Sequence, residues 1–267
     1  MKLPPVLLVG CGRMGGALLA GWREQGLSPS VAVDPAPEAA RHAEPDLLVV
    51  GRAAEIPSGF TPEAVVFAVK PQNAAATLPD YAGYAGLSVF LSIMAGRTIR
   101  GIQALLGADA AIVRAMPNTP AAVHQAISVA CAGPGVSVER RNLCGTLLSA
   151  IGTVAWVENE ALLDPVTAVS GSGPAYVFLL AELLEQAAET QGIPRELARM
   201  LARQTVAGSG ALLMASNDDA AVLRQAVTSP GGTTAAALQV LMAPEAWPAA
   251  LRRAIEAATI RSRELAG

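Results

Sequence analysis

Val6-Leu7-Leu8-Val9-Gly10-Cys11-Gly12-Arg13-Met14-Gly15-Gly16-Ala17-Leu18-Leu19-Ala20-Gly21-Trp22 is the stretch that decides the fold. An apolar strand runs into G-x-G-x-x-G and straight on into a helix-like segment. In that setting Gly10 permits the tight turn, Gly12 lets the backbone approach a pyrophosphate, and Gly15 allows close helix–strand packing. The helix start supplies N–H donors for the anion. A glycine-rich turn without a ligand is the plainer alternative. Nineteen residues after Gly15, Asp34 closes a second apolar run, near the spacing at which a carboxylate meets the ribose hydroxyls of a dinucleotide. A carboxylate there repels a 2′-phosphate, which favours NADH over NADPH, although Arg41 is near enough in sequence to counter it. Asp34 also reads as a turn residue before Pro35.

Outward from this stretch, short β-branched or Leu-rich runs alternate with longer segments. The runs are Val6–Val9, Val31–Asp34, Leu47–Val50, Val65–Ala68, Val89–Ser92, Ala111–Ala115 and, with weaker patterning, Ile127–Ala130 and Thr153–Val157. Such a pattern predicts an α/β fold, a Rossmann-type doubly wound parallel sheet covered by helices on both faces. After Glu158 the composition turns to Ala, Leu, Glu and Arg, which predicts an all-α second domain. The expected division is 1–158 for dinucleotide binding and 159–267 for substrate binding and dimerisation. Helices are expected at Pro174–Thr190, Pro194–Ser216, Asp218–Val227, Thr233–Leu241 and Pro244–Leu265, the last with Arg and Glu spaced to pair. The first is apolar nearly all round, so a partner subunit is its expected cover.

The 267 residues are 52% hydrophobic and 15% charged with net charge −3, ample for two cores and wrong for disorder. No basic run tracks a phosphate backbone, so nucleic acid is not an expected partner. The longest uncharged run, Ala115–Val138, is broken by Pro117, Pro120 and Pro134, and no membrane span is expected. The amino terminus has no cleavable leader pattern, which points to the cytoplasm. Three scattered cysteines and two distant histidines form neither a disulfide framework nor a metal site. With so few histidines, none in a glycine-rich nucleophile turn, a Ser-His-Asp hydrolase is excluded.

Four further loops carry chemistry. Ala68-Val69-Lys70-Pro71 and Arg114-Ala115-Met116-Pro117-Asn118-Thr119-Pro120 follow strands, at the sheet edge where ligands bind. Lys70 reads as a general acid, a phosphate partner or a solvated charge, and Asn118 as a site residue or a turn cap. Ser170-Gly171-Ser172-Gly173-Pro174 and Thr228-Ser229-Pro230-Gly231-Gly232-Thr233-Thr234 each precede a helix. In the last, the first-turn N–H groups suit a carboxylate, or form a plain helix start.

Gly10–Gly15, Ala68–Pro71, Arg114–Pro120, Ser170–Tyr176 and Ser229–Thr234, in this order, resemble the pyrroline-5-carboxylate reductase family over essentially the whole chain. The resemblance implies reduction of 1-pyrroline-5-carboxylate to L-proline by NADH or NADPH, the last step of proline biosynthesis, in a homo-oligomer built from dimers. It puts Ser229, Gly232 and Thr233 around the substrate carboxylate, Thr234 near the ring nitrogen as the catalytic hydroxyl, and Glu160 close to substrate. Gly10, Gly12, Arg13, Met14, Gly15, Asp34, Ala68, Val69, Lys70, Pro71, Ala95 and Asn118 fall on cofactor-facing positions. The chain departs from the family at Arg13, often Asn; at Met94, usually small; at Asp34, where users of NADPH carry Ser, Asn or Arg; and over Ser216–Asp219 and Arg224. A hydroxy-acid or deazaflavin reductase would need a lysine in the helical part, and residues 159–267 contain none. A redox-sensing dimer that binds NAD(H) without turnover would leave Ser229–Thr234 without a duty.

Overall fold

The computed structural model describes residues 2–266; Met1 and Gly267, the outermost positions of the two expected domains, lie outside the described residues. Two compact units are present: 1–171 together with 258–267, and 172–257. The helical family region expected from 159 onward therefore gives its first residues, 159–171, to the first unit. Glu160 and Ser170 explain this, because they bond to Arg114 and Asn118, in and just after a strand of the sheet, as described below.

The first unit holds one eight-stranded sheet in the order β3-β2-β1-β4-β5-β6-β7-β8. Its strands are β1 (Val6–Val9), β2 (Ser30–Val33), β3 (Leu47–Val50), β4 (Ala64–Phe67), β5 (Val89–Ser92), β6 (Ala111–Met116), β7 (Ala126–Ala132) and β8 (Gly152–Trp156). Eight apolar runs thus become eight strands within a residue or two of their expected bounds. Side chains alternate between two cores: Val6 and Leu8 of β1 point to one, Leu7 and Val9 to the other. That two-sided burial is why the runs are apolar throughout.

One expectation is corrected. Strands β1 to β6 are parallel, but β7 runs antiparallel to β6, and β8 is parallel to β7. Only residues 117–125 join β6 to β7, and a parallel return needs a crossover of a dozen or more residues. An apolar run carries no sign of its direction.

Helices α1 (Arg13–Glu24), α2 (Ala74–Thr77), α3 (Ile99–Leu106) and α4 (Val138–Ser149) cover the faces, helped by 3-10 turns after β2, β3 and β4. On one face Leu18, Leu19 and Trp22 of α1 pack with Leu147 and Leu148 of α4, and the Trp22 indole N–H donates to the Leu147 carbonyl at 2.8 Å. On the other, Leu78, Tyr81, Ile102 and Leu106 pack with Phe67 and Phe90. A short α5 (Leu163–Val166) and a single π-helical turn (Thr167–Gly171) end the continuous part of this unit.

The second unit is helical: α6 (Gly173–Thr190), α7 (Arg195–Ala215), α8 (Ala220–Ala226), α9 (Thr233–Leu241) and most of α10 (Trp247–Ala266), whose last turns count with the first unit. All five expected helices are present. Helix α6 has no buried residue, and Val177, Phe178, Leu179 and Leu183 are exposed. An open groove of about 1120 Å³ lies between α6 and α7. The helical stretch Glu160–Thr190 reaches a mean hydropathy of 1.3, long and apolar enough by length and composition to cross a membrane, where none was expected. Apolar surface of this kind needs cover, which another protein surface supplies as well as lipid does.

Candidate active site

The sheet order reverses between β1 and β4, and at that point the loops after the two strands lie side by side. The Ala68 N–H donates to the Val9 carbonyl at 2.8 Å and the Gly10 N–H to the Val33 carbonyl at 2.8 Å. Gly10 has φ +100°, and a Cβ there would lie 2.8 Å from the Ala68 carbonyl oxygen. Only glycine fits both the conformation and the space. A Cβ at Gly15 would overlap the Gly10 carbonyl oxygen, so Gly15 is what lets α1 start this close to β1.

Gly12 behaves differently. It is the N-cap of α1, no side chain caps it, and a Cβ placed on it meets nothing within 4 Å. Its open side and the uncapped first-turn N–H groups of Arg13, Met14 and Gly15 form a cradle that fits an anion. Arg13 is exposed, while Met14 packs against the core.

Beside this cradle opens a cleft of about 510 Å³, lined among others by Gly10, Gly12, Asp34, Ala68, Val69 and Lys70. Asp34 closes the turn that its sequence context allowed and also braces the glycine loop. Its Oδ1 accepts from the Ala36 N–H at 2.9 Å, closing a turn, and its Oδ2 accepts from the Cys11 N–H at 2.6 Å, fixing the glycine loop. Each oxygen keeps a second lone pair for a ribose hydroxyl. Burial, and then the Asp34 carboxylate, push the Cys11 thiol up to about 11, so it stays neutral. The residues present therefore fit a dinucleotide.

Other loops are braced at the same edge. Lys70 is exposed and Pro71 begins a 3-10 turn, and the Pro71 carbonyl accepts from Arg97 Nε at 2.9 Å. That bond ties the loop after β4 to the loop holding Ala95. Met94, one of the family departures, is buried in the core. Asn118 is buried, its Nδ2 donating to the Ser170 carbonyl at 3.1 Å and its Oδ1 accepting from the Ile127 N–H at 3.0 Å. It holds the end of β6 to the start of β7 and to the π-helical turn. Gly171 belongs to this contact, because a Cβ there would lie 2.8 Å from the Met116 Cε. Glu160 is also committed to the chain itself: its Oε1 accepts from Arg114 Nη1 and from the Ile99 N–H, each at 2.8 Å.

In the second unit, Ser229-Pro230-Gly231-Gly232 forms a turn with proline and then a left-handed glycine (φ +69°) at its centre, the Gly232 N–H donating to the Ser229 carbonyl at 3.1 Å. Those residues at those places are the type II signature. Gly232 is the N-cap of α9 without a side-chain cap, so the N–H groups of Thr233 and Thr234 lack helical acceptors. Ser229 and Thr233 are exposed and Thr234 is half-buried. Over Ser216–Asp219 the departure is a surface turn, the Asp218 N–H donating to Ser216 Oγ at 3.0 Å. The structure thus collects the expected cofactor positions around one sheet edge and the expected carboxylate positions on one turn.

Arg97 and Arg52 escaped the sequence reading. Arg52 lies just past the end of β3, so the strand-end rule that singled out Lys70 points to it too. Nothing local marks Arg97.

Residues 160–265 match the family described as pyrroline-5-carboxylate reductase dimerisation, and residues 5–96 match the family described as NADP oxidoreductase, coenzyme F420-dependent. The chain is 37% identical over 269 residues to the pyrroline-5-carboxylate reductase of Pseudomonas aeruginosa, covering 100% of this chain and 98% of that one. It is similar to the solved structure of a pyrroline-5-carboxylate reductase from Coxiella burnetii, with TM-score 0.91, 30% identity and 99% of each chain covered. It also superposes on the Plasmodium falciparum pyrroline carboxylate reductase with NADP bound, with TM-score 0.84, 27% identity and 100% of each chain covered. A Rossmann-type cleft followed by a helical dimerisation region, matched end to end at this identity, places the chain in the pyrroline-5-carboxylate reductase family.

Proposed function

We propose that this protein reduces 1-pyrroline-5-carboxylate to L-proline as a dimer, with NADH preferred over NADPH. The observation that carries the reading is the presence, in one family member, of a dinucleotide cleft in the first unit and an uncapped, carboxylate-ready turn at Ser229–Thr234 in the second. A nicotinamide dinucleotide supplies the hydride when bound. The imine C=N takes that hydride at carbon and a proton at nitrogen, leaving the secondary amine of proline.

The chain's own part is orientation. The N–H groups of Thr233 and Thr234 and the Ser229 hydroxyl hold the carboxylate, with Gly232 giving the close backbone approach, and the Thr234 hydroxyl stands beside the nitrogen that gains the proton. Gly12 and the α1 amino terminus hold the pyrophosphate, while Asp34 accepts from the ribose hydroxyls and repels a 2′-phosphate. Ala68–Pro71, Ala95 and Asn118 shape the nicotinamide side. The exposed apolar faces of α6 and α7 supply the dimer contact.

Steady-state oxidation of NADH and NADPH with pyrroline-5-carboxylate, on the wild type, Thr234→Ala and Asp34→Ser, tests this. The expected result is NADH-preferring turnover, lowered about 10²-fold by Thr234→Ala and shifted towards NADPH by Asp34→Ser. Cofactor binding without imine-dependent turnover would instead make the protein an NAD(H) sensor.

A further inference from the structure

The loop after β3 lines the same cleft as Asp34 and has no duty so far. Strands β2 and β3 are neighbours in register, Val33 opposite Val50, and the Asp34 N–H donates to the Val50 carbonyl at 3.0 Å. Gly51 and Arg52 therefore emerge beside Asp34, and both line the cleft along with Ala53. Ribose hydroxyls held by Asp34 would lie between these two strand ends, and so would a phosphate on the 2′-hydroxyl.

Glu55 controls what that phosphate would meet. One carboxylate oxygen accepts from Arg52 Nε at 2.8 Å, and the other accepts from the Gly51 N–H at 2.9 Å. The side chain thus reaches back from the last residue of the 3-10 turn Ala53–Glu55 to grip both the backbone and the guanidinium ahead of it. These two bonds, that of Arg52 first, hold the Glu55 carboxyl below the usual carboxylate range, so it is ionised at neutral pH. Arg52 is then paired through its Nε with an adjacent negative charge. Lys70, the other cation lining the cleft, follows β4, on the far side of β1 from Asp34.

We infer that Glu55 is a positioning residue for cofactor choice: by tethering Arg52 it denies a 2′-phosphate the cation that lines the cleft beside Asp34. This rests on the NADH preference proposed above. Releasing the tether frees an arginine suited to phosphate, since the planar guanidinium binds phosphate oxygens in pairs.

The test uses the full-length protein, wild type, Glu55→Gln, Arg52→Ala and the double variant. NADH and NADPH binding are each titrated by nucleotide fluorescence, and kcat/KM is measured with pyrroline-5-carboxylate. Glutamine keeps an acceptor for the Gly51 N–H and loses the charge. Glu55→Gln is expected to tighten NADPH about fivefold, the range over which one exposed ion pair acts, while NADH changes less than twofold. Arg52→Ala on top of it is expected to remove the gain. An NADPH-to-NADH ratio unchanged by Glu55→Gln overturns the inference, as does a gain that survives loss of Arg52 or an equal weakening of both cofactors. The wild-type ratio by itself reads the underlying NADH preference, whereas the change on Glu55→Gln reads the tether, so the two fail separately.

Discussion

Replacing Glu160 separates a structural brace from a substrate contact. Its Oε1 is the acceptor for Arg114 Nη1 and for the Ile99 N–H at the first turn of α3. The Arg114 side chain is 5% exposed and that of Glu160 27%. Glu160→Ala strands a guanidinium inside the sheet and leaves a helix-start N–H without an acceptor. Breaking a buried pair in this way costs about 3–5 kcal/mol. Because water reaches part of Glu160, the lower end applies, and the lost backbone acceptor adds roughly 1 kcal/mol. A total of about 4 kcal/mol corresponds to a fall in Tm of roughly 8–16 °C for a chain of this size. Removing both charges as Arg114→Leu with Glu160→Ala is expected to recover about 2 kcal/mol of the loss, since neighbours in one network are not additive. Calorimetry on the three variants gives the energies, and kinetics well below each midpoint gives KM for the imine. A Glu160→Ala protein melting within 2 °C of wild type, with KM raised at least tenfold, would refute the brace and return Glu160 to the substrate.

Four more outcomes follow from single groups. Gly12→Ala is expected to keep stability within about 0.5 kcal/mol, because its φ is −64° and the added Cβ meets nothing; NADH affinity is expected to fall at least tenfold. Gly15→Ala, whose Cβ overlaps the Gly10 carbonyl oxygen, is expected to cost about 3 kcal/mol, and equal melting of the two variants would contradict this reading of the loop. Ser128 Oγ is buried without a partner among the described residues, so Ser128→Ala is expected to stabilise by about 1 kcal/mol in urea titrations, and a loss would show that the hydroxyl is satisfied. Burial pushes the Cys11 thiol up to about 11 and that of Cys144 up to about 12, from an ordinary 9.0. The unfolded chain therefore ionises first. These thiols contribute their full stability below about pH 9 and lose it as pH rises towards 11 and 12. Urea midpoints that hold steady or rise from pH 8.5 to 10.5 would count against it.

Much of the fold was legible because it is written in short-range signals. Val6–Val9 followed by Gly10, Gly12 and Gly15 carries the strand, the turn and the helix start within one segment, and all three are present. The helix at Thr233–Leu241 was bounded exactly, since Pro230 and Gly231 make the turn before it by conformation alone. The direction of β7 was not legible, as the same apolar residues serve either direction. Nor was the first unit's reach to Gly171, which rests on Asn118 meeting Ser170 and Arg114 meeting Glu160.

By itself the sequence determined what local chemistry determines: element type from periodicity, turn type from Gly and Pro, the anion-ready starts of α1 and α9, and the acid at the end of β2. The tertiary structure alone decided who pairs with whom. Glu160, placed near substrate by the family resemblance alone, is bound to Arg114, 46 residues earlier. Asp34 became a clamp on the Cys11 N–H, and Arg97 a tie to Pro71. The reason is physical. A side chain's rotamers and a backbone's φ and ψ depend on near neighbours, whereas a hydrogen bond or ion pair exists only after folding has closed the loop between its two partners.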